Sequence, residues 1–179
     1  MKFLNLPRLG RLVLLPTLFF AVHAYAADAP LKVVQKYMAA WNAHNANEAA
    51  LSFDYDVEYF DASVGQSQYG VVPARDNVIK FFIAAFPDLQ WKMEGAPLVT
   101  QDAIAFQWVF TGTNTGIPVD CDKPTGKPIA FRGVSMIRLK GGKITYQGDY
   151  YDALTFRNQV GLPAVCPIVA AAPATPAAQ

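Results

Sequence analysis

This chain of 179 residues has few of the groups that bind metals or phosphates: two cysteines, two histidines and 15 lysines and arginines in all. Neither Cys121, in VDCDKPTGKP, nor Cys166, near the C-terminus, has a histidine close by in sequence. A metal site needs more ligands than that, so none is expected, and no other cofactor is expected either. The basic residues are scattered, with no Lys/Arg stripe and no glycine-rich phosphate loop, which argues against nucleic acid and nucleotide partners. No long apolar run is present: VLLPTLFFAV is too short to cross a bilayer comfortably, and Pro16 interrupts it.

That short run has a different use. Lys2, Arg8 and Arg11 precede it with no acid among them, and Ala24-Tyr25-Ala26 follows. A basic start, a short apolar core and an A-x-A site predict a secretory signal over residues 1–26, cleaved after Ala26. No cysteine lies near the cleavage site, against a lipoprotein. The expected product is periplasmic or secreted, with no stable membrane insertion. Removing those three cations from 15 leaves 12 basic against 14 acidic side chains, close to neutral. In an oxidising compartment Cys121 and Cys166 are expected to pair, the alternative being two unpaired thiols. The bridge would contribute about 3–4 kcal/mol on the chain-entropy model.

The remainder predicts one domain over 27–166 and a disordered Ala/Pro tail over 167–179. Pro30 suits a first helical turn, and Leu31, Val34, Met38 and Trp41 follow at helical spacing. HNANEAALS predicts a second short helix, with His44 exposed where the first one frays. VEYFDAS reads as a strand, and PARDNVIKFFIAAF as a third helix ended by Pro87. LQWKMEG and AIAFQWVFTGT alternate apolar and polar residues, and IAFRGVSMIRLK and KITYQGDYYD flank the hairpin signal Gly141-Gly142. Helices first and an antiparallel meander afterwards describe an α+β domain. A strongly curved antiparallel sheet wrapped around three N-terminal helices forms a cone whose mouth is a natural apolar pocket.

Two stretches carry a family resemblance. VVQKYMAAWNAHNANEAALSFDYDVEYFDAS resembles the start of the ketosteroid isomerases in the NTF2-like superfamily. AFPDLQW, FTGTNTG and KITYQGDYYDALTFRNQVG are more similar to the SnoaL-like polyketide cyclase branch, which includes ester cyclase-like proteins. The isomerase resemblance implies Tyr37 as a carbonyl-polarising phenol, Asp61 as the proton-shuttling base, and Ser135 where the second oxyanion donor stands. The cyclase resemblance implies Asp149 as the acid/base; Gln147 and Ser135 stand where that branch has histidines. Trp41, Tyr59, Phe82, Trp108, Phe131, Gln147 and Tyr150 complete the expected substrate-binding set. Relatives of this fold pair through the outer sheet face, here Arg132, Val134, Met136 and Arg138, which allows a homodimer.

The two-residue turn at Gly141-Gly142 pairs Ser135 with Gly148 and Gly133 with Tyr150. That register turns Asp149 outward, and Tyr150 and Asp152 inward; a bulge at Gly148 would return Asp149 to the pocket. Either Asp149 or Asp152 is inside. Each candidate also has a plain structural use: Tyr37 in helix–sheet packing, Asp61 in a turn that ends its strand, and Asp152 as a helix cap. Three functions are open. One is an enzyme enolising a small hydrophobic carbonyl compound in the isomerase or aldol-type cyclase class. Another is a non-catalytic binding protein for a small hydrophobic molecule. The third is a purely structural dimer module.

Overall fold

In the computed structural model the chain is described over residues 19–119 and 123–162, with side chains from Ala29 onward. Cys121, Cys166, most of the expected signal segment and the tail lie outside the described residues. Helix α1 (Phe19–Asn42) starts well before Pro30, which falls inside it. The upstream sequence is rich in alanine, the best helix former, and this extends the helix backwards. Val34, Tyr37, Met38 and Trp41 are buried along one stripe of α1. His44 turns the chain in the left-handed conformation (φ 55°) and is exposed, as expected. Asn45 then caps α2 (Ala46–Ala50) by accepting from the Glu48 amide at 3.0 Å.

Strand β1 (Phe53–Asp61) and the short β2 (Ser67–Tyr69) lead into a helical run: α3 (Val71–Pro73), a π-helical stretch Ala74–Ile79, and α4 (Lys80–Ala85). Pro73 lies in its first turn, and the run stops before Pro87. The chain then forms β3 (Gln90–Val99), β4 (Ala103–Thr113), β5 (Pro128–Lys140), β6 (Lys143–Tyr151) and the closing helix α5 (Ala153–Val160). Among the described residues no helix is long and apolar enough to cross a membrane.

The six strands form one curved, unclosed sheet in the order β2-β1-β6-β5-β4-β3. Strands β3 to β6 are the expected antiparallel meander. Strand β1 joins it parallel to β6, so the sheet is mixed, and Asp61 becomes the direct partner of Asp149. Gly141 and Gly142 take φ of 57° and 77°, the positive angles of the tight hairpin turn their sequence predicts.

One residue beyond that turn changes the register. Leu139 pairs with Ile144 but Arg138 pairs with Tyr146, so Thr145 is an extra residue, a bulge. Ser135 therefore faces Asp149, and Gly133 faces Tyr151, one position on from the register the turn alone predicts. Because side chains alternate, that single residue swaps the faces of the whole strand end. Asp149 and Tyr151 point inward. Tyr150, expected to bind substrate, lies on the outer face at 44% exposure, against Phe60 and hydrogen-bonded to Tyr146. Asp152 caps α5, accepting from the Leu154 and Thr155 amides. The bulge that rescues Asp149 sits at Thr145, not at Gly148.

Candidate functional site

The inner face of the sheet and the helices enclose a cavity at the level of Asp149. Helix α1 contributes Trp41, β1 Tyr59 and Asp61, α4 Phe82, β3 Trp91, β4 Trp108 and Phe110, β5 Phe131, and β6 Asp149 and Tyr151. Its volume is about 20 Å³, room for one or two water-sized groups with the walls as they stand. Eight aromatic side chains and two carboxylates make up the lining, with no lysine, arginine or histidine among them. All three tryptophans of the chain are there.

Local sequence explains how the walls are held. Asn42, the last residue of α1, uses its side chain as a strand partner: it accepts from the Trp91 amide at 2.7 Å and donates to the Trp91 carbonyl at 2.9 Å. This clamp ties helix to sheet beside the cavity. Gly133 leaves the space that the Trp108 ring fills; a Cβ there would lie 2.3 Å from the indole. Only glycine allows the ring to approach the strand so closely.

Asp149 is 5% exposed and accepts three side-chain hydrogen bonds. Ser135 Oγ donates to Oδ1 at 2.5 Å, while Tyr59 and the Gln147 amide donate to Oδ2 at 2.7 and 2.9 Å. Burial, then the nearby Asp61 charge, push its carboxyl up from 3.8 to about 7, against the three donors that favour the anion. Asp61 is 4% exposed, and its carboxyl is also raised by burial. Its Oδ1 accepts from the Ser63 amide and hydroxyl, the Val64 amide and the Tyr151 hydroxyl. Asp61 thus has both expected properties: it ends its strand in a turn and it faces the pocket. Its Oδ2 accepts no hydrogen bond among the described residues.

The remaining expected residues divide into two groups. Tyr59, Trp41, Phe82, Trp108 and Phe131 line the cavity as anticipated. Ser135 is fully buried, but its one proton goes to Asp149, while its oxygen accepts from the Trp108 indole at 2.8 Å. It therefore has no proton left for a carbonyl oxygen. Gln147 is buried beside Asp149 rather than on the cavity wall. Tyr37 is fully buried behind Trp41 and Trp91, with ring centroids 6.4 and 5.9 Å away. The polar groups nearest its hydroxyl belong to Trp41, Tyr59 and Gln147. None meets hydrogen-bond geometry with it, and Trp41 Nε1 and Gln147 Oε1 also lack partners. Burial, then the charge of Asp149, raise the Tyr37 phenol well above its usual value, so it is a neutral donor.

Three cavity residues were not anticipated as site residues: Tyr151, Trp91 and Phe110. The inward alternation of LQWKMEG and AIAFQWVFTGT marks Trp91 and Phe110 as core without distinguishing a cavity wall from packing. Tyr151 is obscured by the bulge. Among the described residues no group of three or more His, Cys, Asp or Glu is placed to hold a metal.

No curated protein matches the chain by sequence. Solved structures share its fold. A protein from Catenulispora acidiphila with a ketosteroid isomerase-like fold, in complex with trimethylamine, is 24% identical over 73% of this chain and 93% of its own (TM-score 0.61). A SnoaL-like polyketide cyclase candidate from Jannaschia sp. CCS1 is 16% identical over 77% and 95% (TM-score 0.68). TerC, crystallised with polyporic acid, is 11% identical over 74% and 98% (TM-score 0.61). At these identities the likeness establishes the fold. The family follows from the sequence itself: the model of the SnoaL-like domain matches residues 34–147, well over half of the chain, which therefore belongs to the SnoaL-like domain family.

Proposed function

We propose that the chain is an exported acid/base enzyme that enolises a small, largely apolar carbonyl compound, in the isomerase or aldol-type cyclase class of its family. The observation that carries this reading is Asp149. A carboxyl held near pH 7 in an apolar cavity can take a proton from carbon and return it, because its two protonation states are close in energy at working pH. Its carboxylate removes the proton next to the carbonyl, and the electron pair moves onto the carbonyl oxygen. Behind the cavity wall, the Tyr37 hydroxyl and the Trp41 indole N–H are buried donors without acceptors, and a carbonyl oxygen reaches them where the Trp41 ring yields. Ser135, Tyr59 and Gln147 position Asp149, and Asp61 is the second carboxylate of the pair. The base is assigned to Asp149 rather than Asp61, because turn donors fix Asp61 at its strand end.

The test is deuterium exchange into a small ketone such as cyclopentanone in D₂O, followed by NMR. The wild type should catalyse exchange, and Asp149→Asn should lose it while keeping its fold. Equal exchange by both proteins would overturn the assignment.

The second reading is a non-catalytic carrier of a small molecule. It is favoured by how many oxygens of the two carboxylates are already engaged by protein donors. Fold neighbours are seen with an amine and with an acid, so the fold suits small ligands of either kind. A wild type that binds the ketone without exchanging its protons would favour the carrier.

Three further expectations belong to this proposal: signal cleavage after Ala26, a Cys121–Cys166 bridge, and a homodimer through the outer sheet face. Intact mass of the exported protein before and after reduction, and its sedimentation, check them.

A further inference from the structure

We propose that the cavity is selective for a compact alkylated ammonium cation, of the size of methylammonium to tetramethylammonium. This rests on the reading of the cavity as a ligand site, and it adds the charge of the ligand. Eight aromatic side chains turn rings toward a space that contains two carboxylates and no basic side chain. Aromatic faces attract cations through the ring quadrupole, and an aromatic cage is a recognised way of holding alkylated ammonium groups. The site also has an acceptor to spare, Asp61 Oδ2, which no described residue engages.

Electrostatics separate the candidate ligand classes. An anion would sit among two carboxyl groups and the negative faces of the rings, with only neutral donors to offset them. A neutral apolar molecule would gain nothing from either carboxylate. A cation uses both features, and inside an apolar cavity each interaction is less screened than at the surface. The small volume ranks the sizes: methylammonium, with two heavy atoms, matches the walls as they stand, tetramethylammonium needs them to move apart, and a polycyclic body needs the cavity rebuilt.

The groups facing Asp149 also set the pH dependence. They are Asp61 and Tyr59 from β1, Ser135 from β5, Gln147 and Tyr151 from β6 and Tyr37 from α1. The three phenols are all raised above their usual value and stay neutral, so the two carboxyls are the groups that change the charge of the cavity. A bound cation favours their deprotonated forms. Its affinity therefore rises as pH passes through about 7, where Asp149 ionises, and falls below it.

Because all three tryptophans line the cavity, their indole N–H resonances in ¹⁵N-labelled protein report on it. Methylammonium and tetramethylammonium chloride are titrated at pH 6 and pH 8, with tert-butanol as a neutral body and sodium chloride as a salt control. Tetramethylammonium carries a permanent charge, so any pH effect belongs to the protein. At least one cation should bind about tenfold more tightly than tert-butanol at pH 8, and about tenfold more weakly at pH 6 than at pH 8. Asp61→Asn should reduce cation binding several-fold and tert-butanol binding by much less. If tert-butanol moves the indole resonances as strongly as the cations, or cation binding is equal at both pH values, the charge preference is wrong while the ligand site stands. If no probe moves them, both fail. The wild-type comparison requires no variant, and ketone exchange reads the enzyme proposal separately.

Discussion

The carboxylates inside the sheet and those outside it live in opposite surroundings. On the surface, Asp76 lies 2.7 Å from Arg75 and 2.8 Å from Lys80, and Glu94 lies 2.8 Å from Arg132. Their hydrogen-bonded cationic partners hold these carboxyls below the usual range. Inside, Asp149 and Asp61 have only neutral donors, Ser135, Tyr59, Gln147, Ser63 and Tyr151, and both are raised by burial. The outer acids serve the fold, in partly exposed surface pairs that contribute little. The inner pair works against it, since an apolar site penalises their charge. A buried pair raised in this way is a candidate functional site, and it is on this pair that the proposed function rests.

The largest effect that would break this comparison is on activity. Asp149→Asn should lower ketone exchange by roughly 10²- to 10⁴-fold, the usual contribution of a positioned acid/base. Exchange within twofold of wild type would place Asp149 with the outer acids. The next effect is on packing. Gly133→Ala pushes a methyl into the Trp108 ring and should cost about 1–3 kcal/mol in chemical denaturation, with loss of the Trp108–Ser135 hydrogen bond. A similar cost, about 1–3 kcal/mol, is expected for Asn42→Ala, which leaves the amide and carbonyl of Trp91 unpartnered.

A pH titration sharpens the contrast further. The Asp149 carboxyl is raised in the folded state from 3.8 to about 7, so the folded chain holds a proton that the unfolded chain releases. Stability from this group is fully present below about pH 4 and is lost as pH rises to about 7. Asp149→Asn should therefore melt closer to wild type at pH 5 than at pH 8, where the variant gains relative to it. The reverse trend would mean that the carboxylate is better solvated than its burial implies. The smallest effect belongs outside. Glu94→Gln should shift the melting temperature only slightly, and 1 M salt should erase the difference, because both partners are exposed.

Much of this architecture was legible in the chain. The stripe Val34, Met38 and Trp41, the alternation through Ile104, Phe106, Trp108 and Phe110, and the glycine pair at 141–142 each encode their element locally. Asp61 and Asp149 followed as separate candidates from family resemblance, while the turn register left open whether Asp149 or Asp152 faces inward. What could not be read was set by non-local or single-residue geometry. The parallel docking of β1 on β6 joins segments far apart in sequence, and no local pattern announces it. The bulge at Thr145 leaves no composition signal, yet it decides that Tyr151 and not Tyr150 faces the cavity. Ser135 was the right position with a different task, because its partners Trp108 and Asp149 are fixed only by register. The start of α1 was obscured by Pro30, which reads as a boundary even where the helix runs through it.

The parallel pair has a consequence in time. Asp61 and Asp149 are register partners, but one belongs to the first strand and the other to the last. A growing chain completes β1 early and then makes β2, the helical run and three further strands before the partner exists. A polypeptide stopped before residue 143 would carry Asp61 without Asp149, and an open sheet edge beside it. Long-range closure of this kind is slow compared with the hairpin that precedes it. The two carboxylates thus meet late, once six strands are in place, and their juxtaposition reports that the first and last strands of the sheet have come together.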